Sequence, residues 1–223
     1  IHSGALDNSQ GMLVGAGTTD LFTAQLDNSQ GTLVGKQKLN IDSLALTNDG
    51  GLLQAGGDAR IDTHGQALSN RNSGKNGGIS SLGKLTIASG AVDNQAGFIA
   101  SAGDLQLHGE QLDNRRGTLA SEKQLSATAR VINNQGGAIK SGQDMTLDAK
   151  ELLDNSNLGV IGAGKKLQLD SAHLVNNQGT LVSADAAKIN FGLLENQGGQ
   201  LAAQTALELH GNSLNNNAGG LIQ

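Results

Sequence analysis

The chain has 223 residues with 33 glycines, no proline, cysteine, tryptophan or tyrosine, and a formal net charge of −5. The absence of cysteine excludes a disulfide scaffold, a thiolate zinc site and a cysteine nucleophile. The acidic balance lacks the basic surface of a nucleic-acid-binding protein, and Phe22, Phe98 and Phe191 offer almost no platform for stacking bases or sugars.

A repeated segment begins at the start of the chain, where Leu6–Gly11 returns residue for residue as Leu26–Gly31. The asparagine of this segment recurs every 19 to 24 residues, at Asn8, Asn28, Asn48, Asn70, Asn94, Asn114, Asn134, Asn155, Asn177, Asn196 and Asn216. We predict one array of eleven repeats over residues 1–223. Because the pattern is already under way at Ile1, we expect this array to be a fragment of a much longer protein.

Three columns of apolar residues keep their place relative to these asparagines. The first column is Leu6, Leu26, Leu46, Leu68, Val92, Leu112, Ile132, Leu153, Val175, Leu194 and Leu214. The second column is Leu13, Leu33, Leu53, Ile79, Ile99, Leu119, Ile139, Ile161, Leu181, Leu201 and Leu221. The third is an apolar-x-apolar pair, clear at Leu105/Leu107 and Leu167/Leu169 and weakest at Leu21/Thr23. These columns predict a continuous aliphatic core.

Within each repeat the apolar residues alternate over short stretches, and Gly and Asn separate the stretches, which is typical of strands joined by turns. We predict an all-β parallel β-helix of eleven coils, with about three short strands and 20 residues in each coil. At about 4.8 Å per coil the rod is about 48 Å long. The absence of proline fits, because most backbone N–H groups would donate to the next coil.

The recurrent asparagine has two predicted roles. Asparagine tolerates the left-handed backbone conformation that a tight corner needs. Asparagines in register can also donate side-chain hydrogen bonds to one another along a stack. A glycine follows three residues later in eight repeats, at Gly11, Gly31, Gly51, Gly97, Gly117, Gly137, Gly199 and Gly219.

The run L-D-N-x-x-G-x-L, carried by Leu6–Leu13 and Leu112–Leu119, resembles the haemagglutinin repeats of filamentous haemagglutinins and contact-dependent growth-inhibition exoproteins. The resemblance covers essentially the whole chain and implies a right-handed β-helix. It also implies a long protein, exported by an outer-membrane two-partner secretion transporter and displayed on a Gram-negative cell. The lengthened corners at Arg71–Gly78 and Asn155–Gly159 depart from the family pattern.

Gly159–Lys166 nearly matches the phosphate-binding loop G-x-x-x-x-G-K-[ST]. The last position is Lys166 where the motif needs a hydroxyl, and Leu167–Leu169 has the pattern of a strand rather than a helix. We interpret the segment as a repeat corner and predict no cofactor.

Five histidines are candidates for a metal or acid–base site. His108 and His210 occupy the same place in repeats five coils apart, about 24 Å at 4.8 Å per coil, while His2, His64 and His173 occupy other places. We predict surface histidines and no metal site. Gly56-Gly57-Asp58 stands alone and does not form a calcium-binding repeat.

Neighbouring carboxylates are predicted at Asp7 with Asp27 and at Asp93 with Asp113, each pair about 4.8 Å apart on the outside of the rod. Such pairs occur in β-helical polysaccharide-degrading enzymes. The same column also holds Thr47, Ser69 and Asn133, so we interpret it as a polar surface and predict no catalytic residue.

The Arg71–Gly78 insertion is polar, glycine-rich and basic, and we expect it to protrude and move. It is either a tolerated insertion or a receptor-contact loop.

The sequence favours a structural shaft that projects a distal binding or toxin module. The alternative is that a face of the rod itself binds a host or target-cell receptor, and an enzyme is the least favoured function. The expected partners are the secretion transporter and such a receptor, with no nucleic acid and no small-molecule substrate. Exposed strand edges at the two ends predict end-to-end association.

Overall fold

The computed structural model describes residues 1–74 and 76–223, and the described backbone forms strands and turns without a helix. In chain order the strands are β1 (His2–Asp7), β2 (Met12–Gly15), β3 (Thr19–Asp27), β4 (Thr32–Gly35), β5 (Leu39–Thr47), β6 (Leu52–Ala55), β7 (Ala59–Asp62), β8 (Leu68–Ser69), β9 (Gly78–Ser81), β10 (Leu85–Ala88), β11 (Ala91–Asp93), β12 (Phe98–Ser101), β13 (Leu105–His108), β14 (Gln111–Asp113), β15 (Thr118–Ser121), β16 (Leu125–Asn133), β17 (Ala138–Ser141), β18 (Met145–Asp154), β19 (Val160–Ala163), β20 (Leu167–Val175), β21 (Thr180–Ser183), β22 (Ala187–Glu195), β23 (Gln200–Ala203), β24 (Leu207–Asn215) and β25 (Leu221–Ile222).

These strands form two sheets. One has eleven strands in the order β2-β4-β6-β9-β12-β15-β17-β19-β21-β23-β25, and the other has the remaining fourteen. Each pairing joins a strand to its counterpart about one repeat later in parallel register, as Leu119 pairs with Ile139. The predicted stack of about eleven parallel coils is therefore confirmed, and we number the coils 1 to 11 by their strand in the eleven-stranded sheet.

The longer strands bend in the middle. In β5 the inward residues alternate from Leu39 to Ser43, and then a three-residue step leads to the next buried side chain, Leu46. At this step the strand turns a corner. In three coils the corner breaks the strand into two, giving the pairs β7/β8, β10/β11 and β13/β14. The three strands predicted for each coil are thus separate there, whereas in most coils the second and third are halves of one bent strand.

The core is a continuous column of aliphatic side chains along the rod axis. Leu33, Leu53, Ile99 and Leu119 are completely buried, and the other inward positions of the central coils are nearly so. At about 25 cal/mol per Å² of apolar surface, this burial is the main favourable term in folding.

The register corrects three predicted core positions. Leu174, and not Val175, pairs with Leu194 and faces inward, and Ile222, and not Leu221, pairs with Leu201. Each error is a shift of one residue, which moves a strand side chain to the opposite face.

The third correction concerns the apolar pair of the second repeat. Thr19 aligns with Leu39 and Leu21 with Ile41, so the inward pair is Thr19/Leu21 rather than Leu21/Thr23.

Leu119 and Thr118 are neighbours in β15, and substituting each of them tests which side chains point into the core. Leu119→Ala should lower the free energy of unfolding by about 2–5 kcal/mol, because it leaves a cavity in a closely packed core. Thr118→Ala, on the outer face, should change it by less than about 0.5 kcal/mol. Urea unfolding followed by circular dichroism measures both, and equal losses would contradict the assignment.

Candidate functional site

The most regular constellation of polar side chains is a ladder of asparagines at one corner of the rod. Asn114 is buried, and its Nδ2 donates to Oδ1 of Asn134 at 2.7 Å, while its Oδ1 accepts from Nδ2 of Asn94 at 2.7 Å. Ten such bonds of 2.6–2.8 Å join one asparagine in each of eleven coils. The predicted ladder is therefore present in the structure.

Each amide also satisfies backbone groups. Nδ2 of Asn114 lies 3.3 Å from the carbonyl oxygen of Gly117 in its own coil and 3.1 Å from that of Ala138 in the next. Each ladder amide thus contacts one backbone carbonyl of its own coil and one of the next coil, as well as the neighbouring asparagine. A buried polar network with its groups paired stabilises a single arrangement of the chain.

The ladder corrects one predicted anchor. Asn155 donates to Asn176, and Asn176 donates to Asn196, both through Nδ2. Asn177 lies outside the column and instead accepts a hydrogen bond from the backbone N–H of Gln197. With Asn176 as the anchor, Gly179 takes the place of the glycine three residues later.

The predicted left-handed conformation of the asparagine is wrong. The positive φ angle lies two residues after the ladder, for example at Gln30 (55°), Ala96 (50°) and Arg116 (56°). The corner is a four-residue turn, closed in one coil by Gly97 N–H donating to the carbonyl of Asn94 at 3.0 Å. The glycine is needed for space, since a Cβ on Gly97 would overlap the carbonyl oxygen of Asn70 in the preceding coil.

The aspartate before the ladder caps the same turn. Oδ1 of Asp7 accepts from the backbone N–H of Ser9 at 2.8 Å, and Asp27 does the same for Ser29. This is an Asx-turn, in which a side chain takes the place of a backbone acceptor. The recurrent L-D-N-x-x-G run therefore combines a core leucine, a turn cap, a ladder amide and a close-packed glycine.

Two further corners carry their own inward hydroxyl columns, which the sequence analysis missed. At the bend of the long strands, Oγ of Ser43 donates to the carbonyl of Ala45 at 2.6 Å. After the eleven-stranded sheet, Oγ of Ser101 donates to the carbonyl of Gly103 at 2.9 Å. The recurrence of Ser two residues after the second apolar column, as at Ser121 and Ser141, was the available signal.

The segment Gly159–Lys166, which resembles a phosphate-binding loop in sequence, forms a strand followed by a corner. Val160–Ala163 is strand β19, a corner follows, and Leu167 begins β20. The segment lacks the helix N-terminus that a phosphate-binding loop needs.

The histidines lie apart, and three of them, His64, His173 and His210, lie within 4 Å of a carboxylate. His64 Nε2 lies 2.7 Å from Asp42, and His173 Nε2 lies 2.8 Å from Glu195. The ring of His2 stacks on Phe22. In the part of the chain that the structure describes, no three His, Asp or Glu residues are grouped closely enough to hold a metal ion.

The predicted carboxylate neighbours are adjacent in register, Asp7 with Asp27 and Asp93 with Asp113. Asp113 is held by Arg115 through Nε at 2.9 Å, and Asp93 by Arg71. The hydroxyl of Ser9, followed by its backbone N–H, lowers the pKa of Asp7. A general acid needs a raised pKa, so Asp7 is shifted in the opposite direction.

The part of the insertion before Lys75 is anchored to the next coil, and Lys75 itself lies outside the described residues. Arg71 pairs with Asp93, and Oγ of Ser73 accepts from the backbone N–H of Phe98 at 3.0 Å. Beside it a polar groove spans several coils, lined by amide and guanidinium groups that include Asn72, Gln95 and Arg116. The described residues contain no helix that is long and apolar enough to cross a membrane.

Comparison with known families decides the assignment. The model of the haemagglutinin repeat matches residues 1–71, 54–116, 100–157, 146–211 and 189–223, which together cover the chain. The chain belongs to the haemagglutinin repeat family. No curated protein and no solved structure matches it. The haemagglutinin repeat is typical of structural segments in adhesins that are secreted or exposed at the surface, and the stacked coils agree with that role.

The ladder predicts a large loss of stability on substitution of one asparagine and a small loss on substitution of its neighbour. Asn176→Ala should lower the free energy of unfolding by about 2–4 kcal/mol, because it leaves the buried Oδ1 of Asn196 without a donor and removes the Nδ2 contacts with the carbonyls of Gly179 and Gln200. Asn177→Ala, which removes only peripheral contacts, should lower it by less than about 1 kcal/mol. Urea unfolding measures both, and a larger loss for Asn177→Ala would contradict the assigned column.

His64 offers a test of surface electrostatics. The hydrogen bond to Asp42 raises the pKa of His64 above its ordinary value of 6.5. The pair therefore contributes to stability below the unfolded pKa, and this contribution is lost as the pH rises through the raised value. An NMR titration should show the raised pKa, and Asp42→Asn should lower it. Asp170→Asn, with the same change of charge several coils away, should leave it unchanged.

Proposed function

We propose that this chain is a segment of the shaft of a secreted filamentous adhesin or contact-dependent inhibition exoprotein, which holds a distal binding or toxin module away from the cell. The observation that carries this proposal is the unbroken ladder of parallel strands and asparagine amides through all eleven coils. The family assignment supports it, because haemagglutinin repeats belong to adhesin-type proteins.

The direction of the hydrogen bonds suits a shaft. Strand pairs and ladder amides link each coil to the next, so the bonds run along the rod axis. Bending the rod would stretch many of these bonds at once. Each added coil lengthens the rod by about 4.8 Å, so length follows directly from the number of repeats.

Export through an outer-membrane two-partner secretion transporter of a Gram-negative cell fits the same design. The chain has no cysteine and so needs no oxidant to fold. Each coil can form on the exposed strand edge of the coil before it, as in other stacked repeats. Folding can therefore proceed as successive coils emerge from the transporter.

The shaft in this proposal has no enzymatic activity. The carboxylates nearest to a catalytic arrangement, Asp93 and Asp113, are each held by an arginine, as described above. Both also cap turns, since Asp93 accepts from the backbone N–H of Gln95 and Asp113 from that of Arg115.

A second candidate function is receptor binding by the polar groove beside the insertion. Its amides and arginines offer hydrogen bonds to a glycan or a polar peptide segment of a host or target cell. The groove lies mainly between Asn72 and Asn157, so it can be removed without disturbing the first two coils.

Excision of whole coils distinguishes the two functions. Deleting residues 95–134 joins Asn94 to Gln135 and removes two coils together with half of the residues that line the groove, including both of its arginines. Deleting residues 9–48 joins Asn8 to Asp49 and also removes 40 residues, but it leaves the groove intact. Both deletions preserve the ladder, because each joins one anchor to the turn of another.

A shaft predicts that both full-length deletion proteins still reach the surface and keep their adhesion or toxin delivery. Small-angle scattering of each deleted segment should show a rod shorter by about 10 Å. Loss of cell binding only on deletion of residues 95–134 would favour the receptor-binding groove. Loss of function in both, with the coils folded, would contradict the shaft.

A further inference from the structure

The outer face of the eleven-stranded sheet is almost free of charge. It consists of the first and third residues of strands β2, β4, β6, β9, β12, β15, β17, β19, β21 and β23, and of the first residue of β25. Among these outward positions, all of them described, Lys140 is the only charged residue. Most of the others are Ala, Val, Thr, Gly or Leu. The fourteen-stranded sheet differs, since its outward positions include Asp42, Asp148 and Lys188.

Charged residues return at the rim, which we define as the corner segment that follows each strand of this sheet. In coil 2 the rim carries Lys36 and Lys38, and in coil 3 it carries Asp58. In coil 8 it carries Lys165 and Lys166. Coils 1 and 10 have no rim charge.

The other rims carry either one charged residue or one pair of opposite charges. The rim carries Lys84 in coil 4, Asp104 in coil 5, Asp144 in coil 7 and Asp185 in coil 9. Coil 6 has both Glu122 and Lys123 and is neutral.

The rim charges of one rod match those of a second rod that runs in the opposite direction, because opposite signs then face each other. Consider a second copy laid face to face, with its axis antiparallel and a two-fold axis between coils 5 and 6. Coil 1 of one copy then faces coil 10 of the other, coil 2 faces coil 9, and so on, so the two coil numbers always add up to eleven. Lys36 and Lys38 meet Asp185, Asp58 meets Lys165 and Lys166, and these contacts occur twice by symmetry.

The central coils follow the same rule. Lys84 faces Asp144 across the two-fold axis, and Asp104 faces the mixed pair of coil 6. Every charged rim therefore meets a rim that is opposite in sign or neutral, over ten coils.

The charges also exclude neighbouring registers. Sliding one copy by one coil places Lys36 and Lys38 opposite Lys165 and Lys166. Sliding it by one coil the other way places Asp58 opposite Asp185. Like charges brought together at an interface are unfavourable, so the pattern selects one register.

The side chains of the opposed faces match in size in this register. Phe98 faces Thr118, Leu52 faces Val160, and Gln54 faces Gly162, so large residues meet smaller ones. The partner copy also has the same repeat along its axis, so ridges and grooves keep in step over the whole length.

The area fits a weak specific contact. Ten coils of about 4.8 Å and four residues of about 3.3 Å give about 600 Å² on each copy. The total of about 1,200 Å² lies at the lower limit for specific protein interfaces.

We propose that the outer face of the eleven-stranded sheet binds a second copy of this chain, side by side and antiparallel. If the chain is a shaft, as proposed above, this contact joins shafts that project from two facing surfaces. The partner is then the same filament on another cell.

A charge swap tests the register. In sedimentation velocity, the wild-type chain should dimerise in the micromolar range, and K84E or D144K alone should raise the dissociation constant at least tenfold. The double variant K84E/D144K should return it to within about threefold of wild type. K188E, with the same change of charge on the other sheet, should have no effect. Lys84 and Asp144 are chosen because each is the single charged residue of its rim, so the swap reverses the whole charge of both rims.

The shape of the dimer distinguishes this contact from association of strand edges at the ends. A side-by-side pair keeps the maximum dimension of the monomer in small-angle scattering, whereas an end-to-end pair doubles it. Ala120→Arg, at the centre of the face and pointing outward, should abolish the dimer while leaving the thermal unfolding midpoint within a few degrees.

A monomer at 100 µM, a dimer of doubled length, a dimer that survives Ala120→Arg, or a double variant that fails to recover would each overturn the proposal. These measurements use the chain in solution, so they are independent of secretion and display. The coil excisions test the shaft separately, because they depend on surface function and not on dimerisation.

Discussion

Hydrogen bonding between successive coils is the constraint on which the rest of this structure depends. Every strand pairs in parallel with its counterpart one repeat away, so each residue lies directly over its equivalent in the neighbouring coil. A side chain suited to one coil is then suited to all of them, and identical residues form columns. The same stacking leaves no room for a Cβ at the corner glycines. It also disfavours proline, which has no backbone N–H to donate to the next coil.

The corners are the places where such a rod is hardest to build, because turning the chain frees backbone groups inside the molecule. Many corners meet this demand with an inward polar side chain. One corner has the asparagine ladder in every coil, while the bend of the long strands and the corner after the eleven-stranded sheet have Thr or Ser in some of the coils. Buried polar groups cost free energy unless they are paired, so these columns fix where the chain turns.

The polar groups of the described residues are organised around the turns and the stacking of coils. Asp7 and Asp113 cap turns, Asp113 also pairs with Arg115, and His64 and His173 contact carboxylates in separate coils. What varies along the rod is the outward surface, where the repeat leaves residues free to change. The repeat therefore predicts that binding to a partner, as proposed above, uses extended faces and grooves that cross several coils.

The sequence by itself determined the architecture, the number of coils, the core columns and the asparagine ladder. It could do so because each position of the repeat occurs eleven times, so the residue type that its contacts require is visible in the sequence. It did not determine the register where a corner gains a residue. Asn176 and Asn177 are both asparagine, and Leu221 and Ile222 are both aliphatic, so composition could not choose between them. Only the tertiary structure decided, because the neighbouring coil presents one amide and one aliphatic side chain at a fixed position. It likewise placed the positive φ at residues such as Gln30 and Ala96, since the asparagine side chain must point inward to reach the next amide.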